Sequence, residues 1–333
     1  MGIPNGIDPG EAMRFLDEQD KEFKVNNIEE PTPENKPITS LGKAQGHLQT
    51  EEISAAYESP WKILALDTLP SEGKMYPNNV ELLIRSAKVS EIRHWSTLDE
   101  TDPLDVIDKI NFILNACTKF KVRGNPIPLN YNDFLEIDRY HILFRIYELT
   151  FPNQENKLWA NIKCQNPNCN TVNKTQVTSK NLKGFAYPEQ LLKWYSNTEK
   201  CFVVYSPKLN ETLRFYLPTI GMSSKFKNKK NLDLQRGAEI DESFYKQGPY
   251  LINEWRRTDL DGLNNLKMQT MGWSEDKFLI IYKFTELLEQ SKLNKAVCVC
   301  EKCKTQTESH IFLGGSFTVK DIFIISAGLD ELI

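Results

Sequence analysis

Hydrophobic positions along this chain follow two spacings, and the switch between them marks its elements. From Asp102 to about Phe120, Ile107, Ile110, Leu114 and Cys117 recur every three or four residues, which places them on one helical face. Asp102 supplies an N-cap side chain and Pro103 a preformed first turn. A second helix is expected over Tyr131 to Thr150, with Phe134, Leu135, Ile142, Leu143 and Ile146 as its apolar positions. Lys88–Ser96 reads as a short helix. Residues 241–290 are helical in tendency, with Asp241 as a cap, Gly262 and Gly272 as breaks, and WSEDKFLIIYKFTELLEQ as the clearest amphipathic stretch.

The shorter apolar runs have the strand period. NVELLIRSA follows WKILALDTLP across a turn through Gly73, and CFVVYS and TLRFYLPT flank the turn PKLNE as a hairpin. Leu158–Ile162 with Val172–Val177, and Ala296–Val299 with Ser309–Leu313, frame two further polar turns.

These elements imply an α+β fold in three parts. Residues 1–56 contain the polar stretch VNNIEEPTPENKPITSLGKAQGHLQTEE and read as an extended or disordered arm, with Met13–Leu16 as an apolar island suited to ordering on a partner. Residues 57–157 read as a mainly helical domain with a short β entry. Residues 158–333 read as two zinc-ribbon-like hairpins (158–178 and 295–315) stapling an α/β insertion (179–294), followed by an apolar tail.

The turns of those two hairpins carry the candidate chemistry. Cys164 and Cys169 lie in NIKCQNPNCNTV, and Cys300 and Cys303 in AVCVCEKCKTQT. A tight turn brings two sulfurs to one ion, and C-x₄-C with C-x₂-C are both accepted ligand spacings for a tetrahedral Zn²⁺. Their neighbours are Gln, Asn, Lys and Glu, which argues against a core role. Cys298, two residues before Cys300, is an alternative ligand. The beginning MGIPNGIDPG has neither the basic start nor the apolar stretch of a signal peptide, and Gly6 stands where a myristoylation pattern wants Ser or Thr. A reducing, cytosolic site of synthesis is therefore the expectation, and there metal outranks disulfide.

Other residues read more plainly. Cys117 and Cys201 are packing residues, and His141 a core or surface histidine. The lysine run in MSSKFKNKKNLDLQRG, with a single aromatic, reads as a solvated helix face. Asp99, Glu100 and Asp102 form an acidic cluster open to metal-assisted chemistry, but capping the helix at Pro103 is the simpler role. A composition of 40% hydrophobic and 26% charged residues is that of an ordinary soluble globular protein. No apolar run is long enough to span a bilayer, and a net charge of −4 counts against nucleic acid as the main partner. No triad pattern or phosphate-binding glycine loop is visible, so nothing demands catalysis.

LPSEGKMYP before a strand, LNYNDFLEIDRYHILFRIYELTF, a cysteine hairpin, FYLPTIG, and a late C-x₂-C with a hydrophobic tail occur in that order over about residues 61–325. Together they resemble the baseplate hub assembly proteins of contractile-tailed bacteriophages, LPS-x-G-x-x-Y being the sharpest local match. The resemblance implies a non-enzymatic protein whose partners are other hub or tail proteins, located in the host cytoplasm during assembly, with the virion tail baseplate as a further destination. The first knuckle departs from the family's C-P-x-C: CQNPNC is two residues longer. The alternative is a zinc-ribbon protein that binds nucleic acid, which the acidic balance disfavours.

Overall fold

The computed structural model describes residues 60–122, 129–152, 158–310 and 319–323. Contacts divide the chain into Met1–Ala56 and Tyr57–Ile333. The polar arm therefore lies outside the described residues. The described elements of the second unit are helices and antiparallel sheets, an α+β fold.

The first sheet has the order β1 (Lys62–Leu64), β2 (Val80–Ile84) and β3 (Thr118–Val122). Between β2 and β3 come α1 (Val89–Ser96) and α2 (Pro103–Cys117). The Asp102 side chain accepts the Leu104 N–H at 2.8 Å, as an N-cap should. The buried face of α2 is Ile110, Ile113, Leu114 and Cys117, whereas Ile107 is only half-buried, so the apolar stripe is rotated from the one expected. The helix stops at Cys117 because Thr118–Val122 pairs with β2, Phe120 opposite Leu82. Of the acidic cluster, Asp102 caps α2 while Glu100 accepts the Lys320 N–H at 2.8 Å and Asp99 accepts from Thr101.

The expected helix from Tyr131 is shorter than its pattern. Only α3 (Arg139–Thr150) is α-helical; 3₁₀ turns occupy Tyr131–Asp133 and Glu136–Asp138, with Phe134 and Leu135 extended between them. Tertiary pairing overrides the helical period here. The Glu136 N–H donates to Pro218 O at 2.9 Å and the Ile220 N–H to Phe134 O at 2.8 Å, around a bridge between Leu135 and Thr219. Residues of NDFLEID are thereby bound to LPTI.

LPSEGKMYP arrives at the same place. Its backbone turns tightly, with Glu72 (φ 53°) and Gly73 (φ 68°) left-handed. A Cβ on Gly73 would stand 3.0 Å from Leu66 Cβ, so glycine suits both the angle and the space. The turn directs the Ser71 N–H and the Tyr76 hydroxyl onto the Asp138 carboxylate, each at 2.9 Å. Tyr76 in turn accepts the Leu135 N–H at 3.0 Å, and Tyr187 donates to Ser71 O at 2.8 Å. Asp138 has no exposed surface.

β4 (Trp159–Lys163) and β5 (Val172–Gln176) form the first cysteine hairpin. β6 (Leu182–Phe185), unforeseen in the sequence because Lys183 and Gly184 break the apolar alternation, pairs with β10 (Lys292–Val299). Gly184 is needed there: a Cβ would meet the Pro70 ring at 2.5 Å. With β11 (Gln306–His310) these make the sheet β11-β10-β6. Between them run α4 (Glu189–Trp194) and the sheet β7 (Tyr195–Ser196), β8 (Cys201–Ser206) and β9 (Glu211–Phe215). α5 (Ile220–Gln235), α6 (Glu242–Gln247), α7 (Leu260–Met271) and α8 (Glu275–Gln290) come next. Asp241 and Ser274 cap α6 and α8, and Gly272 ends α7, but Gly262 lies within its first turn, capped by Asp259 at 2.8 Å.

One buried cluster runs from Leu64 to Phe323 and includes Leu82, Phe134, Phe144, Phe215 and Phe284, with Phe215 stacked on Phe284 at 4.1 Å. The 57–157 and 158–333 segments thus share a core. Of the apolar tail, Ile322 and Phe323 are described and buried. A smaller cluster, Met222, Phe226, Phe244, Tyr245 and Leu263, holds α5–α7.

The lysine run of α5 is not uniformly solvated. Lys229 is buried against Asp233, which also accepts from Tyr245 and Lys267, and Lys225 donates to Trp255 O at 2.6 Å. Burial opposes the charge on Asp233, but the bonds from Lys229, Tyr245 and Lys267 outweigh it and hold its carboxyl below the usual range.

Two buried groups on or beside α3 pull stability in opposite directions. Burial raises Asp138 from 3.8 to about 6, against the bonds from Ser71 and Tyr76. Burial, then the Arg145 charge, lowers His141 from 6.5 to about 4; both ring nitrogens lack a hydrogen-bond partner among the described residues. Between pH 4 and 6 the folded state binds the Asp138 proton more tightly than the unfolded chain, so that contribution falls as pH rises. The unfolded chain binds the His141 proton more tightly, so that contribution grows. The two nearly offset in the native protein. His141→Leu is expected to unmask the Asp138 slope, with stability falling by about 1 kcal/mol per pH unit across that window in urea unfolding. A slope matching the native protein's would refute the assignment.

Candidate metal centre

Each knuckle is built by its strand ends. Past β4, Cys164 donates its N–H to Thr171 O at 2.8 Å; past β10, Cys300 does the same to Thr305 O at 2.9 Å. The residue after each second cysteine, Asn170 (φ 51°) or Lys304 (φ 60°), is left-handed, which closes the turn and returns the chain to its strand. The two extra residues of the first knuckle are absorbed within the turn, where the Cys169 N–H donates to Asn166 O at 2.9 Å.

The sulfurs of Cys164, Cys169, Cys300 and Cys303 all lie within 4.8 Å of one another. Cys164 and Cys303 are 3.5 Å apart and Cys169 and Cys300 3.7 Å, so each close contact joins one knuckle to the other. A tetrahedral ion with metal–sulfur bonds of about 2.3 Å requires sulfurs about 3.8 Å apart. A disulfide requires roughly 2 Å, and all four are free thiols. The arrangement fits a metal ion. Cys298 is not in the cluster; it packs against the main core, facing Thr307 across the β10–β11 pair. Cys117 and Cys201 are buried in the core, as expected.

No protein-family model matches this chain, and neither a curated protein nor a solved structure does.

The electrostatics favour a cation. The hydroxyl and N–H of Thr305 draw the Cys303 thiol down to about 6. The Cys303 N–H, against burial and with the Lys302 N–H, lowers Cys300. Cys164 is drawn down by the Asn166 N–H but, through burial and its three sulfur neighbours, is pushed up to about 12. Negative charge gathered on one side is thus resisted on the other, and a divalent ion removes that conflict by pairing with every thiolate.

Four supporting residues are not foreseen by the cysteine spacing. Thr171 and Thr305 place their hydroxyls 3.2 Å and 3.3 Å from the sulfurs of Cys169 and Cys303. Thr307 accepts the Gln165 N–H at 3.1 Å and donates to Lys163 O at 3.0 Å, while Asn173 accepts the Glu301 N–H at 3.0 Å. Each hairpin therefore holds the knuckle of the other through one buried polar side chain, in near two-fold fashion. The signal was present: CNTVN and CKTQT share Thr two residues, and a hydrogen-bonding side chain four residues, after the second cysteine.

Thr307→Val keeps the shape but removes both bonds. It is expected to weaken metal binding by about 10–100-fold, the usual effect of losing a partner that orients a ligand. Competition with a chromophoric chelator measures this. Undiminished affinity would show that the clasp does not set the ligand geometry.

Proposed function

We propose that this chain is a structural or assembly protein of a bacteriophage tail baseplate hub, working through protein–protein contacts around one structural zinc. The observation that carries the reading is the closed set of four thiolates. Cys164, Cys169, Cys300 and Cys303 fill a tetrahedral ion, which keeps no position for water or substrate. The ion then serves as a clip between zinc-ribbon-like hairpins, and the chain acts as a scaffold without catalysis. Zinc is the choice because tetrahedral all-sulfur sites select zinc or iron, and a structural clip needs no redox chemistry.

The phage assignment rests on the ordered motifs. Three of them, LPSEGKMYP, NDFLEID and LPTI, bind one another directly around Asp138, Leu135 and Thr219. This supports reading them as parts of one unit rather than scattered matches. The partners are other hub or tail proteins, met in the host cytoplasm during assembly, with the virion baseplate as a further destination.

The test is co-expression with the tail proteins encoded beside it, followed by isolation of complexes and metal analysis. The expected result is a stable complex with at least one neighbour and about one zinc per chain. Association with none of them would overturn the assembly role, and the colour of iron–thiolate would replace zinc by iron.

A further inference from the structure

A cleft of about 460 Å³ opens among α5, α6 and the start of β10, lined by Lys227, Lys230, Lys246 and Lys292 together with Glu242 and Glu289. Its charges do not balance. Lys230 meets both Glu242 oxygens at 2.8 Å and 2.9 Å, and Lys292 meets Glu289 at 3.0 Å, where Tyr250 also donates. The same two ammonium groups lie over aromatic walls, Lys230 at 5.9 Å from the Tyr245 ring and Lys292 at 5.2 Å from that of Tyr250. Both glutamates are thus engaged. Lys227 and Lys246 are exposed, and no ion pair joins either to a carboxylate among the described residues. Two uncompensated positive charges stand on a concave wall of a chain whose net charge is −4.

We propose that this cleft binds an acidic peptide segment of a partner protein, whose carboxylates pair with Lys227 and Lys246. Volume and lining favour a peptide. The space is that of a site for several side chains rather than one small anion. Pro218 and Pro249, both largely buried, line the floor of the cleft between these charges. Nucleic acid is disfavoured because Phe226, Tyr245 and Tyr250 are all buried, so no ring of the cleft stands free for a base. The lysine run of α5 finds a use here: Lys225 and Lys229 are bound within the fold, Lys230 is paired, and Lys227 is left for a ligand.

Such a peptide contact rests on the proposed assembly role and gives it a chemistry, but its test is separate, because no cysteine lines the cleft. The full chain is titrated into a fluorescein-labelled decapeptide of alternating Glu and Pro at low salt, read by anisotropy. Saturable binding that weakens with added salt is expected. Lys227→Glu combined with Lys246→Glu should weaken it by about tenfold or more, with metal content and melting temperature unchanged. Lys180→Glu with Lys193→Glu, exposed positions outside the cleft, should bind as the native chain does. A ten-nucleotide oligothymidylate and pyrophosphate are run as competitors. No saturable binding, equal binding by the cleft variant, or displacement by either competitor at lower concentration than unlabelled peptide would each overturn the proposal.

Discussion

Cys303→Ser is expected to strip the metal and lower the melting temperature by roughly 8 °C. Serine keeps the size but is a poor ligand for a soft site, and three remaining thiolates leave the ion open to solvent and exchange. The ion joins knuckles 131 positions apart along the chain at Cys169 and Cys300, and long loops are where a clip most restricts the unfolded ensemble. Apparent binding energies of structural zinc are about 10–16 kcal/mol in small domains. Here the shared core persists, so a fraction is lost, on the order of 4 kcal/mol, and in a chain of 333 residues each kcal/mol shifts melting by about 2 °C. Cys298→Ser is the control. Its side chain lies against the core and outside the thiolate cluster, so metal content should stay as in the native protein. Calorimetry beside metal analysis decides it. A metal-free Cys303→Ser that melts with the native protein would make the ion incidental, and a metal loss in Cys298→Ser would reassign the ligands.

Asp138→Ala is expected to cost about 3–5 kcal/mol, because two buried donors lose their acceptor together and each orphaned group costs roughly 1–3 kcal/mol. The donors are the Ser71 N–H and the Tyr76 hydroxyl, both at 2.9 Å from a fully buried carboxylate. The damage should spread, since Tyr76 also anchors the Leu135 N–H and Leu135 bridges to Thr219. Tyr76→Phe removes one bond to Asp138 and one from Leu135 but fills the same space, so it should cost less, about 1–3 kcal/mol. Urea unfolding at constant slope orders the two variants. A loss under about 1 kcal/mol for Asp138→Ala, less than one orphaned donor should cost, would mean that the carboxylate does not hold these segments together.

Several features were legible in the sequence because they depend on neighbours along the chain. Asp102–Pro103 begins a helix through its own side chain and ring, whatever packs nearby. The cysteine pairs sit in turns between β-prone runs, so the local chain alone presents the sulfurs. That these two pairs meet is a tertiary fact, carried by the reciprocal bonds of Thr307 and Asn173 across the hairpins. Tertiary pairing also broke the helix expected from Tyr131, where Phe134 and Glu136 exchange backbone bonds with Ile220 and Pro218, over eighty residues away, around the Leu135–Thr219 bridge. It buried Asp138 and Asp233 as well, two charged residues whose type argues for the surface. Partners decide such cases. A charge goes inside when Ser71 and Tyr76, or Tyr245 and Lys267, come from elsewhere to meet it, and no local pattern of polar and apolar residues records where those partners will be.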